Sequence, residues 1–180
     1  MRKFAQEGHN VYIATPLQRR TKLSTHIRNN TNIHILGIKT LNITKTNVIE
    51  QGVGQLLLES QCKAAISKYW WDIHFDLILY STPPITFTNV IKHLKKQNHG
   101  VTTYLLLKDI FPQNAIDIGL LTKKGVKGLL YQYFRNKEKE LYRISDFIGC
   151  MSPANVEYLL KHNPSISTQQ GSKRVYLYST

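Results

Sequence analysis

The chain has 180 residues, of which 42% are hydrophobic and 19% are charged. This composition excludes an intrinsically disordered chain and is typical of a folded protein with a proper core. The formal net charge of +13 favours anionic partners such as nucleic acid, phosphorylated substrates or an anionic membrane face. The charge has a second explanation: the chain is rich in Lys, Asn and Ile together, and its cations are mainly Lys, whereas recognition of bases and phosphates favours Arg.

Three sequence features bear on location and metal binding. No apolar run approaches the roughly 20 residues of a membrane-spanning helix, and the start MRKFAQEGHN lacks the apolar segment of a secretory signal. Cys62 and Cys150 are far apart and outside any metal-ligand spacing, which predicts two free, reduced thiols in a cytoplasmic protein. The seven histidines share no metal-like spacing. We therefore expect a cytoplasmic chain without a metal site.

The first forty residues predict a helix end, two strands and a loop. Gly8 closes a short helical segment, and VYIAT (11–15) has the β-branched and aromatic residues of a strand. Residues 17–32 are polar, basic and without periodicity, so we expect a loop there. IHILGIKT (33–40) is the second predicted strand. The chain thus begins inside a predicted helix.

A long helix and a buried strand follow. Helical character begins near Val48, with an apolar face that includes Val53, Leu57, Ala64 and Ile66. FDLILYST (75–82) is a continuous apolar run of strand length. Such runs are typical of parallel strands that are covered on both faces.

The next helix is predicted over residues 85–100. Ser81 or Thr82 is suited to cap it, and the prolines at positions 83 and 84 suit its first turn. Its apolar face and its lysines lie largely on different sides, and Gly100 ends it. The apolar face comprises Phe87, Val90, Ile91 and Leu94, and the lysines are Lys92, Lys95 and Lys96.

Strand and helix then alternate again. We predict a strand at 101–109, a loop with a short helical turn, a long helix at 125–145, a strand at 147–152 and a helix that starts at Pro153. This alternation predicts an α/β fold, a Rossmann-like open parallel sheet with helices on both faces. The sequence lacks the dinucleotide, Walker, nucleophile-elbow and zinc-protease motifs, which excludes those classes as complete sites.

Polar residues follow several predicted strands, where open α/β sheets bind ligands. Asp109 ends an apolar strand, so we expect its carboxylate to be partly desolvated and suited to accept a proton or to anchor hydroxyls. The alternative is a structural role, in which Asp109 pairs with Lys108 or caps backbone amides of the next turn. Gln113 and Asn114 are suited either to hydrogen-bond a polyhydroxy ligand or to hold the loop through side-chain bonds to its backbone.

The long helix combines an apolar stripe with an aromatic and cationic side. Helical periodicity places Tyr131, Arg135 and Tyr142 opposite the stripe, flanked by Glu138 and Lys139. This outer side suits a membrane headgroup layer, or else it is a solvated helix face or packs on a neighbour. The predicted stripe comprises Val126, Leu130, Tyr133, Phe134, Leu141 and Ile144.

Four blocks of the sequence resemble the amino-terminal domain of family 4 glycosyltransferases, most closely bacterial enzymes of capsular or O-antigen polysaccharide synthesis. The blocks are EGHNVYIAT, FDLILYSTPPITF, YLLLKDIFPQNAIDIG and YFRNKEKELYRISDFIGCMSPANVEYLL. The resemblance spans about residues 2–164, with KDIFPQNA and IGCMSPAN as its most specific parts. It implies a GT-B architecture, in which two Rossmann-like domains face each other across a cleft.

The resemblance also implies roles for partners and residues. The amino-terminal domain receives the acceptor, commonly a lipid-linked diphosphate sugar at the cytoplasmic membrane face, the other domain binds a nucleotide-sugar, and no metal is needed. A basic surface would then meet an anionic membrane. Asp109 is implied as an acceptor-orienting or base-like catalytic group. The implied acceptor-binding residues are Lys108, Gln113, Asn114, Ser81, Thr82 and Ser152.

The sequence departs from the family pattern at both ends. The family's first strand and glycine-bearing loop are expected before the opening helix, and its donor-binding domain is expected after residue 164. The tail at 165–180 also drifts from the pattern. We therefore expect a partial enzyme that transfers no sugar on its own.

Two other functions are compatible with parts of the sequence. One is a non-catalytic module that binds an anionic membrane surface or completes a split glycosyltransferase as a partner subunit. The other is a nucleic-acid binder, which rests on charge alone because no helix-turn-helix, zinc finger or aromatic RNA-binding strand is present. We expect no nucleic-acid partner.

Overall fold

The computed structural model describes residues 1–42, 48–82, 84–119, 121–167 and 174–177. The chain forms two compact units, Met1–Ile73 and His74–Thr180. Unit 1 contains α1 (Arg2–Gln6), β1 (Val11–Gln18), a 3₁₀ turn (Arg19–Thr21), β2 (His26–Asn30), β3 (Ile33–Thr40) and α2 (Val48–Tyr69). Unit 2 contains β4 (Leu77–Thr82), α3 (Thr88–Gln97), β5 (Thr102–Leu107), α4 (Gln113–Asp117), α5 (Gly125–Ile144), β6 (Phe147–Cys150), α6 (Pro153–His162), α7 (Pro164–Ser167) and β7 (Arg174–Leu177).

Unit 1 is a three-stranded sheet in the order β1-β3-β2 with α2 packed mainly on β3. The central strand is the buried one, since Leu36 and Ile38 are almost wholly inaccessible. β1 is parallel to β3, and β2 is antiparallel to it. Gly37 of β3 leaves room for the side chain of Leu17, since a Cβ there would lie 2.6 Å from Cδ1 of Leu17.

The loop predicted at 17–32 is wrong in part. β1 continues to Gln18, and His26–Asn30 forms β2. The segment HIRNN has no apolar pattern because β2 is an edge strand whose last three residues are exposed. Its pairing with β3 depends on backbone hydrogen bonds, which the side-chain pattern does not reveal.

The apolar face predicted for α2 is shifted by about one residue. Leu57 is 43% exposed and Ala64 is exposed, whereas Ile66 is buried as expected. The side chain of Val53 lies outside the described residues. The inward face of α2 comprises Leu58, Cys62, Ala65 and Ile66, and Trp70 directly after the helix is also buried.

Unit 2 is an all-parallel sheet in the order β4-β5-β6-β7, flanked by helices. Its core joins the alternate residues Leu105 and Leu107 of β5 to Ile148 of β6, to α5 through Leu141 and to α6 through Leu159. The predicted α/β class and Rossmann-like open parallel sheet are confirmed. β7 lies within the tail that was expected to diverge, and it adds the fourth strand beside β6.

The apolar stripe predicted for α5 is wrong in its first half. Val126 is 85% exposed, Leu130 45% and Tyr133 42%, whereas Leu141 is fully buried. Only the second half of the helix packs on the sheet, so the first half has no core to cover. No helix among the described residues is long and apolar enough to cross a membrane.

Candidate functional site

The carboxyl ends of the parallel strands bring several predicted site residues to one edge of unit 2. β4 ends at Thr82, β5 at Leu107 and β6 at Cys150. Because these neighbouring strands are parallel, the segments that follow them meet at the same edge. Lys108 and Asp109 follow β5 directly, and Ser152 follows β6.

Thr82 fixes the loop after β5. Its side chain is 1% exposed, and its Oγ1 donates to the carbonyl oxygen of Asp109 at 3.2 Å. Oγ1 of Thr82 also accepts from the backbone N–H of Lys108 at 3.2 Å. Thr82 therefore positions the segment that carries Asp109, and its hydroxyl is already engaged within the protein.

The predicted cap of α3 is wrong. The helix begins at Thr88 after Phe87, and no side chain caps it. Thr82 is instead bonded to the loop after β5, and Ser81 is half-buried in β4. Pro83, which was expected in the first helical turn, lies outside the described residues. The face predicted for α3 is confirmed in its core positions: Val90, Ile91 and Leu94 are buried.

The environment of Asp109 differs from the one that the sequence predicted. The side chains of Asp109 and Lys108 are both exposed, so the partial desolvation expected for the carboxylate is absent. Within the described part of the chain, the Asp109 carboxylate has no ion pair or hydrogen bond, including to Lys108. It also caps no helix, since α4 has no side-chain cap. Both structural roles considered for Asp109 are therefore unfilled, and its carboxylate is free to meet a ligand.

The short helix α4 holds two carboxamides with different environments. Gln113 donates through Nε2 to Oδ1 of Asp117 at 2.7 Å. Asn114 has its Oδ1 buried without a hydrogen-bond partner, while its backbone N–H donates to the carbonyl of Ile110 at 2.9 Å. A buried acceptor without a donor is costly and rare in folded proteins. Asn114 therefore carries a buried acceptor that no described residue satisfies.

Aromatic packing holds the segment between β5 and α4 in place. The ring of Phe111 meets Phe134 of α5 edge-to-face, with ring centroids 5.1 Å apart. Pro112, which follows a cis peptide bond, is buried. Together with Thr82, these contacts fix both ends of the segment that presents Asp109. Sequence reasoning missed this anchoring, although the adjacent Phe111-Pro112 pair is a visible signal for a rigid turn.

Ser152 caps α6. Its Oγ accepts from the backbone N–H of Asn155 at 3.2 Å, and Pro153 occupies the first helical turn. The hydroxyl that was predicted to contact the acceptor is therefore engaged in a helix cap. Ser-Pro before a periodic segment is a sequence signal for this arrangement.

The outward side predicted for α5 is corrected by the structure. Tyr142 is 1% exposed and faces the core, and its hydroxyl donates to Oε1 of Glu138 at 2.8 Å. Arg135 pairs with Glu138 and donates through Nη2 to the carbonyl of His162 at 2.8 Å and to Oδ1 of Asn163 at 2.9 Å. These polar residues form a buried network that joins α5 to the end of α6. Tyr142 and Arg135 are therefore not membrane-facing.

The remaining two residues of that prediction lie nearer the surface. Lys139 is exposed, and Tyr131 is half-buried beneath Lys123, whose Nζ lies 5.6 Å from the centre of the ring. Burial is the main cause that raises the pKa of Glu138, and the neighbouring Arg135 partly offsets it. Burial likewise raises the pKa of Tyr142 well above its usual value. The network is thus a structural one.

Metal binding finds no support in the described residues, which contain no group of three or more His, Cys, Asp or Glu able to hold an ion. Cys62 and Cys150 are buried free thiols, as predicted. No protein-family model matches the chain, and no curated protein shows significant similarity to it. The resemblance to glycosyltransferases therefore stays a prediction from the sequence.

Proposed function

We propose that the chain is the acceptor-side domain of a retaining glycosyltransferase that moves a sugar from a nucleotide-sugar to a lipid-linked glycan in bacterial surface polysaccharide synthesis. One observation supports this most: the segment after β5 presents an exposed, unpaired Asp109 carboxylate and a buried, unpartnered Asn114 Oδ1. Both are acceptors of hydrogen bonds, and a sugar is a ligand rich in hydroxyl donors.

The proposed chemistry assigns a separate role to each group. Asp109 orients the attacking acceptor hydroxyl by accepting its hydrogen bond. As the acceptor oxygen bonds to the anomeric carbon of the donor sugar, the bond from that carbon to the nucleotide phosphate breaks, the nucleotide leaves with that oxygen, and Asp109 takes up the proton of the hydroxyl. Asn114 accepts from a second hydroxyl, which removes the cost of about 1–3 kcal/mol for a buried acceptor without a partner. The exposed ammonium group of Lys108 meets the diphosphate of the lipid carrier. The donor nucleotide-sugar binds a second domain, as in the family that the sequence resembles.

The rigid mounting of this segment suits the role. Thr82 bonds the backbone of residues 108–109, and Phe111 packs against α5. Groups that orient a reactant must be held in place, because loss of position lowers the rate of a transfer reaction steeply. The contacts of Thr82 and Phe111 hold the segment in position, and neither of them involves the Asp109 side chain.

Equilibrium binding tests the proposal with two soluble ligands, a short-chain prenyl diphosphate that bears one sugar and the same prenyl diphosphate without the sugar. We expect Asp109→Asn to weaken binding of the sugar-bearing ligand about tenfold, the low end for a hydrogen bond to a charged group, and to leave the sugar-free ligand unaffected. Lys108→Gln should weaken both. Asp72→Asn, which alters an exposed carboxylate in unit 1, is the matched control and should change neither affinity.

The outcomes separate the role of the site from general attraction by charge. If Asp109→Asn and Asp72→Asn have the same effect, or if the parent chain does not distinguish the two ligands, the proposed sugar site is wrong. If the parent chain binds neither ligand, the acceptor class is wrong.

A further inference from the structure

β4 is an edge strand that lacks the usual protection against pairing with another chain. The edges of the two described sheets are β1, β2, β4 and β7. Natural edge strands commonly carry a proline or a charged side chain that discourages the addition of a further strand. β1 contains Pro16, β2 contains Arg28 and β7 contains Arg174, whereas β4 (LILYST) has neither. No charged residue occurs between Asp76 and Lys92, although the chain has 24 lysines and arginines.

The backbone groups of β4 alternate between its neighbour β5 and the open edge. The backbone N–H of Thr102 donates to the carbonyl of Asp76 at 3.0 Å, so Asp76 faces β5. Because successive residues of a strand face opposite sides, Leu77, Leu79 and Ser81 direct their N–H and C=O groups away from β5. Within the part of the chain that the structure describes, these outward groups have no hydrogen-bond partner. Leu77 is 46% exposed, so this edge is accessible.

A second copy of β4 in antiparallel orientation satisfies all of these groups. When Leu79 lies opposite Leu79 of the second copy, Leu77 lies opposite Ser81, and Ser81 lies opposite Leu77. Each of these pairs exchanges two hydrogen bonds, from N–H to C=O in both directions. The arrangement has two-fold symmetry, so both copies use the same surface. Bonds between parallel strands are staggered, and two parallel copies of β4 would therefore not be equivalent.

The side chains of β4 are compatible with this register. Leu77, Leu79 and Ser81 share one face of the sheet, because alternate residues of a strand point the same way. Each of them meets an uncharged residue of the second copy, and Asp76 comes opposite Thr82. Like charges at opposite positions would destabilise the pairing, and this register contains none. The edge is complementary to itself, which makes a second copy of the chain the partner that fits it.

We propose that the chain forms a two-fold dimer in which β4 pairs with β4 of a second copy and joins the two sheets of unit 2 into one. The dimer is independent of the proposed sugar site, since antiparallel strands place the two carboxyl edges, each with its Asp109, at opposite ends of the joined sheet. The contact is short, so the dimer is weak, with a dissociation constant on the order of 100 µM. The net charge of +13 repels the two copies, and added salt therefore strengthens the dimer.

Sedimentation of the full chain, at concentrations from about 5 to about 500 µM, tests the dimer through charged variants. We expect Leu79→Lys to weaken association by about tenfold or more, because it places two ammonium groups side by side and removes a leucine contact. Leu79→Asp should do the same with two carboxylates. An equimolar mixture of the two variants should associate again, because each lysine then lies opposite an aspartate.

Leu106→Lys is the matched control. Leu106 is half-buried and lies opposite Ser81 on the same face of the sheet. Its strand β5 is paired on both sides, so the same substitution should leave association unchanged. Circular dichroism confirms that each variant is folded.

Amide hydrogen exchange of the parent chain locates the contact without any substitution. As the concentration rises, the N–H groups of Leu77, Leu79 and Ser81 should become protected from exchange. The N–H groups of Ile78 and Tyr80 face β5 in the parallel register and should not change with concentration.

The results that overturn the proposal are specific. A parent chain that stays monomeric up to about 500 µM, or equal losses in Leu79→Lys and Leu106→Lys, would exclude pairing through β4. Failure of the mixed variants to associate would contradict the antiparallel register. Protection of the three outward amides in the monomer would show that the chain itself covers this edge. Unaltered binding of the sugar-bearing prenyl diphosphate by Leu79→Lys separates this test from that of the carboxyl-edge site.

Discussion

Asn114→Ala separates a ligand-binding carboxamide from a structural one. The Oδ1 of Asn114 is buried without a partner, so its removal deletes an unsatisfied acceptor and restores part of the 1–3 kcal/mol, roughly, that such a group costs. The small loss of packing around the deleted atoms opposes that gain. We expect the free energy of unfolding to change by less than about 0.5 kcal/mol.

Asn98 supplies the matched comparison within unit 2. It is 2% exposed, its Oδ1 accepts from the backbone N–H of Phe75 at 2.7 Å, and its Nδ2 donates to the carbonyl of Leu94 at 2.8 Å. Asn98→Ala removes both bonds and empties a buried position. With about 1 kcal/mol for each bond and a further penalty for the lost packing, we expect a loss of about 2–4 kcal/mol.

Urea unfolding followed by circular dichroism measures both variants, and binding of the sugar-bearing prenyl diphosphate is measured beside it. We expect Asn114→Ala to keep its stability and to lose affinity about fivefold or more, as one lost hydrogen bond predicts. A loss of about 2 kcal/mol or more on Asn114→Ala, similar to that of Asn98→Ala, would refute it. Such a loss would mean that Asn114 has a structural partner.

Three further predictions concern the packing that holds unit 2 together. Arg135→Ala leaves the buried Glu138 carboxylate unpaired and should cost about 3–5 kcal/mol near neutral pH. Burial raises the pKa of Glu138, so the loss should shrink as the pH falls through that raised pKa, which urea unfolding at two pH values will show; a loss independent of pH would contradict it. Although partial burial raises the pKa of Asp146, its hydrogen bonds from β5 and α3 lower the pKa overall. Asp146→Asn should therefore reduce the free energy of unfolding at neutral pH. The difference from the parent chain should close as the pH falls through the lowered pKa. Gly149→Ala places a Cβ 2.5 Å from Oη of Tyr104 and should cost about 1–3 kcal/mol; the double variant Gly149→Ala/Tyr104→Val should lose less than the sum of the two single variants.

The sequence predicted the regular part of unit 2 well, because its signals are local. Continuous apolar runs marked β4 and β5, and the helix predicted at 125–145 matches α5 (Gly125–Ile144) closely. β2 and β7 were missed, since a strand at the edge of a sheet is stabilised through its backbone and needs no apolar pattern. The composition of two distant segments does not predict that they pair as strands.

The candidate site was predicted only in its outline. A charged residue at the end of an apolar strand marked Asp109, since strand polarity alone brings that position to the ligand-binding edge. The hydrogen bond from Thr82 to the Asp109 carbonyl joins residues 27 positions apart, and the sequence around either residue does not predict it. A serine before a helix suits both a cap and a ligand contact, and the structure shows the cap at Ser152, so its contact with the acceptor stays a prediction.

The orientation of α5 shows a limit of periodicity. The predicted apolar stripe runs along the whole helix, but only its second half meets the core, and the hydrophobic pattern does not tell where the core ends. Arg135, Glu138 and Tyr142 resemble a solvated face on a helical wheel, yet their mutual bonds allow them to be buried. Buried polar networks are recognised from three-dimensional partners, and sequence spacing alone does not supply those.

The most direct test of the sugar site maps the ligand onto the chain. Backbone amide shifts of the ¹⁵N-labelled protein are followed while the sugar-bearing prenyl diphosphate is added, with the sugar-free compound as reference. We expect the differences between the two titrations to concentrate at Lys108, Asp109 and Asn114. Differences spread over the exposed lysines of the chain, or their absence from residues 108–114, would contradict the proposed sugar site.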